Sequence, residues 1–137
     1  MRSVDTSVVV AAFASWHEQH QAARKVLDAG VHLIDHCALE SYSVLTRLPP
    51  PHRSPAPVVR EFLRARFPGP FLRLSERSYR EFVLGLVEQR VTGGAAYDAL
   101  VAATAAASGA DLVTCDRRAA AVYDTYGVPF ELLGEKG

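Results

Sequence analysis

Short apolar runs that end on an acid or a capping residue and pass at once into a helical pattern recur along this chain, and that alternation confines it to an α/β architecture. Val4 leads into Asp5-Thr6-Ser7, after which residues 8–13 read as a helix capped by Thr6 or Ser7. Residues 31–34 form a second predicted strand, followed by a helix over 37–48 that Pro49, Pro50 and Pro51 end. Residues 112–116 form a third, followed by a helix over 117–126 stopped by Gly127, and 130–133 form a last short strand. Strands joined by helices pair in parallel and need cover on both faces. The expectation is therefore a three-layer α/β/α fold around a mostly parallel central sheet.

Between these units, Ser15-Trp16-His17-Glu18 has the spacing of a capping box, which predicts a helix from there to Ala29, stopped by Gly30. The proline-rich segment 49–57 predicts a stiff loop rather than a domain boundary. A helix over 58–67 and a short strand over 71–74 follow. Residues 75–90 predict an amphipathic helix with Tyr79, Phe82, Val83, Leu86 and Val87 on one buried face. Gly93-Gly94 breaks the chain before an alanine-rich helix over 95–108.

At 137 residues and 49% hydrophobic, residues 1–137 suit a single domain with a real core. Fifteen Lys and Arg balance fifteen Asp and Glu, so any nucleic acid has to be held by local basic groups or bound metal rather than by the overall field. Cys37 and Cys115 are the only cysteines, too few for a disulfide framework and without a second cysteine at metal-ligand spacing, which fits a reducing cytoplasm. The apolar run at 8–14 is too short and too close to Asp5 for a signal peptide, and no stretch reaches the roughly 18 apolar residues of a membrane span.

Four acids stand in places that cost energy unless they are used. Asp5 and Asp116 each follow an apolar strand directly, and ligands of parallel sheets bind at the carboxyl ends of strands. Glu40 shares a helical stripe with Cys37, Val44 and Leu48, an inward position that demands a partner. Asp98 opens the alanine-rich helix, where the helix dipole favours an anion. Each alone also reads as a cap or a buried ion-pair partner, with Arg47 or Arg60 available for Glu40. Together they cannot all ionise close to one another without a cation, and an all-oxygen set selects Mg²⁺ or Mn²⁺. Thr114 shares a strand face with Asp116, and Thr6 adjoins Asp5, so both hydroxyls are candidates to bond a carboxylate or a water there.

Other constellations are weaker. His17 and His20 are three apart on the predicted helix but lack a third ligand, and His32, His36 and the cysteines show no characteristic catalytic spacing. Arg60 and Arg64 lie one turn apart, and Arg117 and Arg118 follow Asp116, where they can meet phosphates. An aspartate-nucleophile phosphatase is a rival reading of Asp5, although the second aspartate two residues on is missing. A catalytically silent binding module, its acids gripping a partner's arginines, is another.

The order Val4-Asp5-Thr6-Ser7, then Glu40, then Tyr97-Asp98-Ala99, then the run Gly109-Ala110-Asp111-Leu112-Val113-Thr114-Cys115-Asp116 resembles the PIN domain, and in its compact length the VapC-type toxins of bacterial toxin-antitoxin pairs. The resemblance extends from Val4 to about Val128, its last motif being the most specific. It implies a Mg²⁺- or Mn²⁺-dependent endoribonuclease with Asp5, Glu40, Asp98 and Asp116 as the metal-holding quartet and Thr6 and Thr114 beside them. It also implies a structured RNA substrate such as tRNA or rRNA, a small inhibitory antitoxin and a homodimer. Arg117 and Arg118 stand where some members carry a further acid, which argues against a complete second metal site. Trp16, Val26, Leu27, Val59, Phe62 and Leu63 are the residues expected to flank an apolar groove for an antitoxin helix.

Overall fold

The computed structural model describes residues 1–134. The elements run β1 (Arg2–Val4), α1 (Thr6–Phe13), α2 (His20–Asp28), β2 (His32–Leu33), α3 (Asp35–Arg47), α4 (Ala56–Arg66), α5 (Glu76–Gly85), α6 (Ala95–Ala107), β3 (Asp111–Thr114), α7 (Arg117–Thr125) and β4 (Phe130–Leu132). The strands form one sheet in the order β2-β1-β3-β4, with every pairing parallel. β1 and β3 are therefore central, and their registers place Val4 opposite Val113. The backbone N–H of Asp5 continues that ladder by donating to the Val113 carbonyl at 3.2 Å. The carboxyl ends of the two central strands thus open at one point of the sheet edge.

Central strands covered on both faces have to be apolar on both sides. Val4, Leu33, Leu112 and Val113 are at most 1% exposed and merge with Val8, Val9 and Ala11 of α1, Val101, Ala102 and Ala105 of α6, and Ala119 and Tyr123 of α7 in one core. The alanines let α6 and α7 approach the sheet closely. Gly30 and Gly127, at φ +86° and +70°, follow α2 and α7 in the left-handed conformation that ends a helix, as their spacing predicted.

Three local expectations are corrected. Ser15 does not cap a helix: residues 14–19 form successive turns, with His17 N–H on the Ala14 carbonyl and His20 N–H on the His17 carbonyl, each at 3.0 Å, and α2 starts only at His20. These residues are needed for the turn that lets α2 pack on α1, so the capping-box residues are left in the connection. The expected strand over 71–74 reduces to one bridge between Leu72 and Ile34. The long amphipathic helix is shorter, ending at Gly85, a residue with poor helix propensity. None of its residues is buried, and Tyr79, Val83 and Val87 lie exposed. Periodicity marked an apolar face there, but only Phe82 and Leu86 of it are half-buried.

Candidate active site

Asp5 sits where β1 becomes α1, and it is both the last residue of the sheet ladder and the helix N-cap. Its Oδ1 accepts the Ser7 N–H at 3.0 Å and the Val8 N–H at 3.4 Å, as a capping carboxylate does, and also the Ser7 hydroxyl. Its Oδ2 accepts the phenolic hydroxyl of Tyr123 from α7 at 2.7 Å. With only 5% of its surface exposed, burial pushes this carboxyl above its ordinary pKa, and the hydrogen bonds from Ser7, Thr114, Tyr123 and Val8 oppose that shift.

Asp116 plays the same part after β3. It is the N-cap of α7, with Oδ1 accepting from Arg118 N–H at 2.9 Å and Ala119 N–H at 3.4 Å. Capping and site membership are thus one arrangement here: the cap fixes the carboxylate at the strand end. Thr114, fully buried, accepts the Asp116 N–H on its hydroxyl at 3.0 Å and lies 3.3 Å from the Ser7 hydroxyl. Ser7 in turn accepts the Cys115 N–H at 2.8 Å, which ties the ends of β1 and β3 together.

Glu40, from α3, is less buried than its stripe suggested. Its side chain is 44% exposed, and its nearest cation candidate is His36 one turn earlier, at 3.9 Å, rather than Arg47 or Arg60. Arg47 donates instead to Ser43, and Arg60 pairs with Glu61, as does Arg64. The inward demand on Glu40 is met by a polar opening: Asp5, Glu40, Asp98 and Asp116 line one small cleft of about 50 Å³, together with Thr6, Ser7 and Tyr123. Asp98, in the first turn of α6, accepts no hydrogen bond among the described residues. Its carboxyl is pushed above the ordinary value by partial burial first, then by the charges of Asp116, Asp5 and Glu40, while Arg118 opposes the shift. The Thr6 hydroxyl at the cleft wall is buried with no hydrogen-bond partner among the described residues.

Five of the six candidate residues therefore line one cleft, and the sixth, Thr114, is buried behind it against Asp116. Ser7 and Tyr123 were missed. Ser7 was read only as a possible cap. Tyr123 carried a usable signal, since Asp116, Ala119, Ala120 and Tyr123 fall on one face of α7 and the tyrosine is the single polar tip on that stripe. The paired histidines come apart: His17 accepts the Gln19 N–H and His20 faces the Ala11 carbonyl at 2.9 Å. Among the described residues, no three histidine, cysteine, aspartate or glutamate side chains stand close enough together to hold a metal ion as placed. In the expected apolar groove, Val26, Leu27 and Val59 are instead ordinary core; Phe62 and Leu63 are partly buried against it, and Trp16 is exposed. Core packing claims those side chains because α2 and α4 have to bury their own inner faces.

A parallel sheet with two strand-end aspartates, joined by a glutamate and a third aspartate from flanking helices, forms a cleft lined by four carboxylates. The PIN domain family matches residues 3–124, and the chain belongs to that family. It is similar to Ribonuclease VapC40 of Mycobacterium tuberculosis (strains CDC 1551 / Oshkosh and ATCC 25618 / H37Rv), 52% identical over 133 residues that cover 97% of this chain and 99% of the relative. It is also 40% identical over 130 residues to Ribonuclease VapC27 of Mycobacterium tuberculosis (strain ATCC 25618 / H37Rv), with 92% of each covered.

Proposed function

We propose that the chain is an endoribonuclease that hydrolyses RNA phosphodiester bonds at the cleft of Asp5, Glu40, Asp98 and Asp116 with a bound Mg²⁺ or Mn²⁺, and that it acts as the toxin of a toxin-antitoxin pair. One observation carries the chemistry: the carboxylates of Asp5, Glu40, Asp98 and Asp116, from four separate elements, line one small cleft, so it concentrates negative charge that a cation relieves. The whole-length likeness to proteins named ribonuclease VapC supports the substrate class and the toxin role.

The residues fit a hard cation. The donors are carboxylates and hydroxyls, and the buried Thr6 hydroxyl is left without a partner at the cleft wall. When bound, such an ion neutralises charge developing on the scissile phosphate and lowers the pKa of a coordinated water.

The chain's own residues divide the remaining work. Asp5 and Asp116 are held in place, Asp5 through Ser7 and Tyr123 and Asp116 through its helix cap. Asp98, which accepts no hydrogen bond among the described residues, is the carboxylate left free to take a proton from the attacking water at one Oδ. The new bond joins the water oxygen to phosphorus, and the bond from phosphorus to the ribose O3′ breaks. The departing O3′ takes up a proton, leaving a 3′-hydroxyl and a 5′-phosphate. Arg118, which opposes the Asp98 shift, is near enough to the site to steady the substrate's charge.

A phosphatase with Asp5 as nucleophile is disfavoured, because Ser7 stands two residues on, where that chemistry needs a second aspartate. The partners we propose are a structured RNA such as tRNA or rRNA, a small cognate antitoxin and a second copy of the chain. No helix among the described residues is long and apolar enough to cross a membrane. A cytoplasmic location is part of the proposal, supported by the two free thiols. Incubating the purified chain with RNA tests the reading. Cleavage with Mg²⁺ or Mn²⁺ that stops in EDTA is expected, and cleavage undiminished by excess chelator, or none with either metal, overturns it.

A further inference from the structure

A second cavity, of about 500 Å³, adjoins the acid cleft, and the hydrolysis described above does not use it. Ser7 lines both spaces. The larger one runs from Ser7 past Cys115 and Arg117 to the turn carrying His17, Glu18 and Gln19. Its size falls in the range of small-ligand sites, and it is an order of magnitude roomier than the cleft that holds the acids. Ser7, common to both walls, makes this space the neighbour of a phosphate held at the acids.

The wall carries both signs of charge, Glu18 and Arg117. Glu18 is exposed, with no ion pair or hydrogen bond among the described residues. Its carboxylate accepts well from the amino group of a base, which a phosphate lacks. One aromatic ring, His17, lines the cavity, and Trp16 adjoins that ring from outside it. The His17 ring is set by its Nδ1, which accepts the Gln19 N–H at 3.0 Å, and it lies 6.2 Å from the Trp16 ring. Trp16 packs on His52 of the proline-rich loop at 4.4 Å and still leaves 51% of its surface exposed. The turn that displaced the expected capping box thus presents, in consecutive positions, a stacking surface, a ring and an acceptor.

We propose that this cavity is a nucleobase subsite for single-stranded RNA: the base of the nucleotide beside the scissile phosphate enters it and donates its amino group to Glu18, and the following base stacks on Trp16. The proposal rests on the ribonuclease reading and adds to it a preference for an amino-bearing base over uracil at that position. Unpaired bases are free to splay onto such a surface, as single-strand readers require.

Trp16 is the only tryptophan, so its fluorescence reports on the subsite without a label. The experiment has two arms. In the first, the Asp98→Asn chain with Mg²⁺ is titrated with a short single-stranded oligoribonucleotide; quenching of Trp16 is expected, and adding Trp16→Ala should weaken binding, followed by anisotropy, about tenfold or more. In the second, the otherwise unsubstituted chain cleaves two oligoribonucleotides that differ only by cytosine or uracil beside the cleaved bond. A preference for cytosine that Glu18→Ala abolishes is expected. RNA cleavage with unmoved Trp16 fluorescence, or with a base preference unchanged by Glu18→Ala, overturns the subsite and leaves the ribonuclease reading standing. A chain that cleaves neither oligoribonucleotide nor bulk RNA overturns that reading, and the subsite falls with it.

Discussion

Replacing Tyr123 by Phe removes one atom and one hydrogen bond from the centre of the site. The ring is 1% exposed and lies 6.4 Å, edge to face, from Phe130; both features survive in the variant, so no side-chain cavity opens. What is lost is the donor to Asp5 Oδ2 at 2.7 Å, a bond to a buried carboxylate. Hydrogen bonds to charged groups are worth about 1.5–3 kcal/mol. Taking an unfolding entropy of about 2.1 cal/mol/K per residue for 137 residues, each kcal/mol shifts the melting temperature by about 3.5 °C. The variant should therefore melt about 5–10 °C lower at neutral pH in EDTA. The pH dependence gives a second, independent check. Burial already raises the Asp5 pKa above 3.8, so the folded state holds a proton more tightly than the unfolded chain, and Asp5 makes stability fall as pH rises through that window. Without the tyrosine donor the folded pKa rises further and the fall is steeper. The gap between the two proteins should thus narrow as pH is lowered from 7 toward 3.8. Melting curves followed by circular dichroism read both quantities, and a shift under about 2 °C, or a gap that widens in acid, refutes the reasoning.

Removing the Ser7 hydroxyl with Ser7→Ala takes a donor from Asp5 and an acceptor from the Cys115 N–H at once; urea denaturation should show a loss of about 1–3 kcal/mol, and an unchanged midpoint counts against the link between β1 and β3. Glu40→Gln touches a side chain 44% exposed, so stability should move by less than about 1 kcal/mol while metal-dependent RNA cleavage falls at least about tenfold; wild-type rates would remove Glu40 from the site. Val87→Ser, at an exposed position beyond α5, should change monomer stability by no more than about 0.5 kcal/mol at low protein concentration, whereas a core position there would cost several times more.

Much of this architecture was readable because the signals were local. A strand end followed at once by an acid and a helix defines both the parallel sheet and the edge where Asp5 and Asp116 emerge, and the same aspartates cap α1 and α7. Glu40 and Asp98 were legible as misplaced charges. The losses came where tertiary context decides. Ser15 to Glu18 has the right spacing for a cap, but the turn between α1 and α2 takes those residues. Tyr79, Val83 and Val87 have helical period, and period alone does not say whether anything packs on them. The bond from Tyr123 to Asp5 spans 118 positions, and no sequence spacing announces it.

Thermal melts of wild type and Asp98→Asn, each with EDTA and with saturating Mn²⁺, test most directly whether the four acids form a cation site. Asn keeps the side-chain shape and removes one of the mutually repelling charges, so the metal-free variant should melt higher than wild type, and the fall in stability with rising pH that a raised carboxyl produces should flatten. Mn²⁺ at about 100 times its dissociation constant should stabilise wild type by about 2.7 kcal/mol, or about 9 °C, through binding to the folded state, and the variant by much less. RNA cleavage by the variant should fall by about 10²–10⁴-fold. A variant that melts lower than wild type in EDTA and shows the full Mn²⁺ shift would make Asp98 a structural helix-start acid and contradict the site.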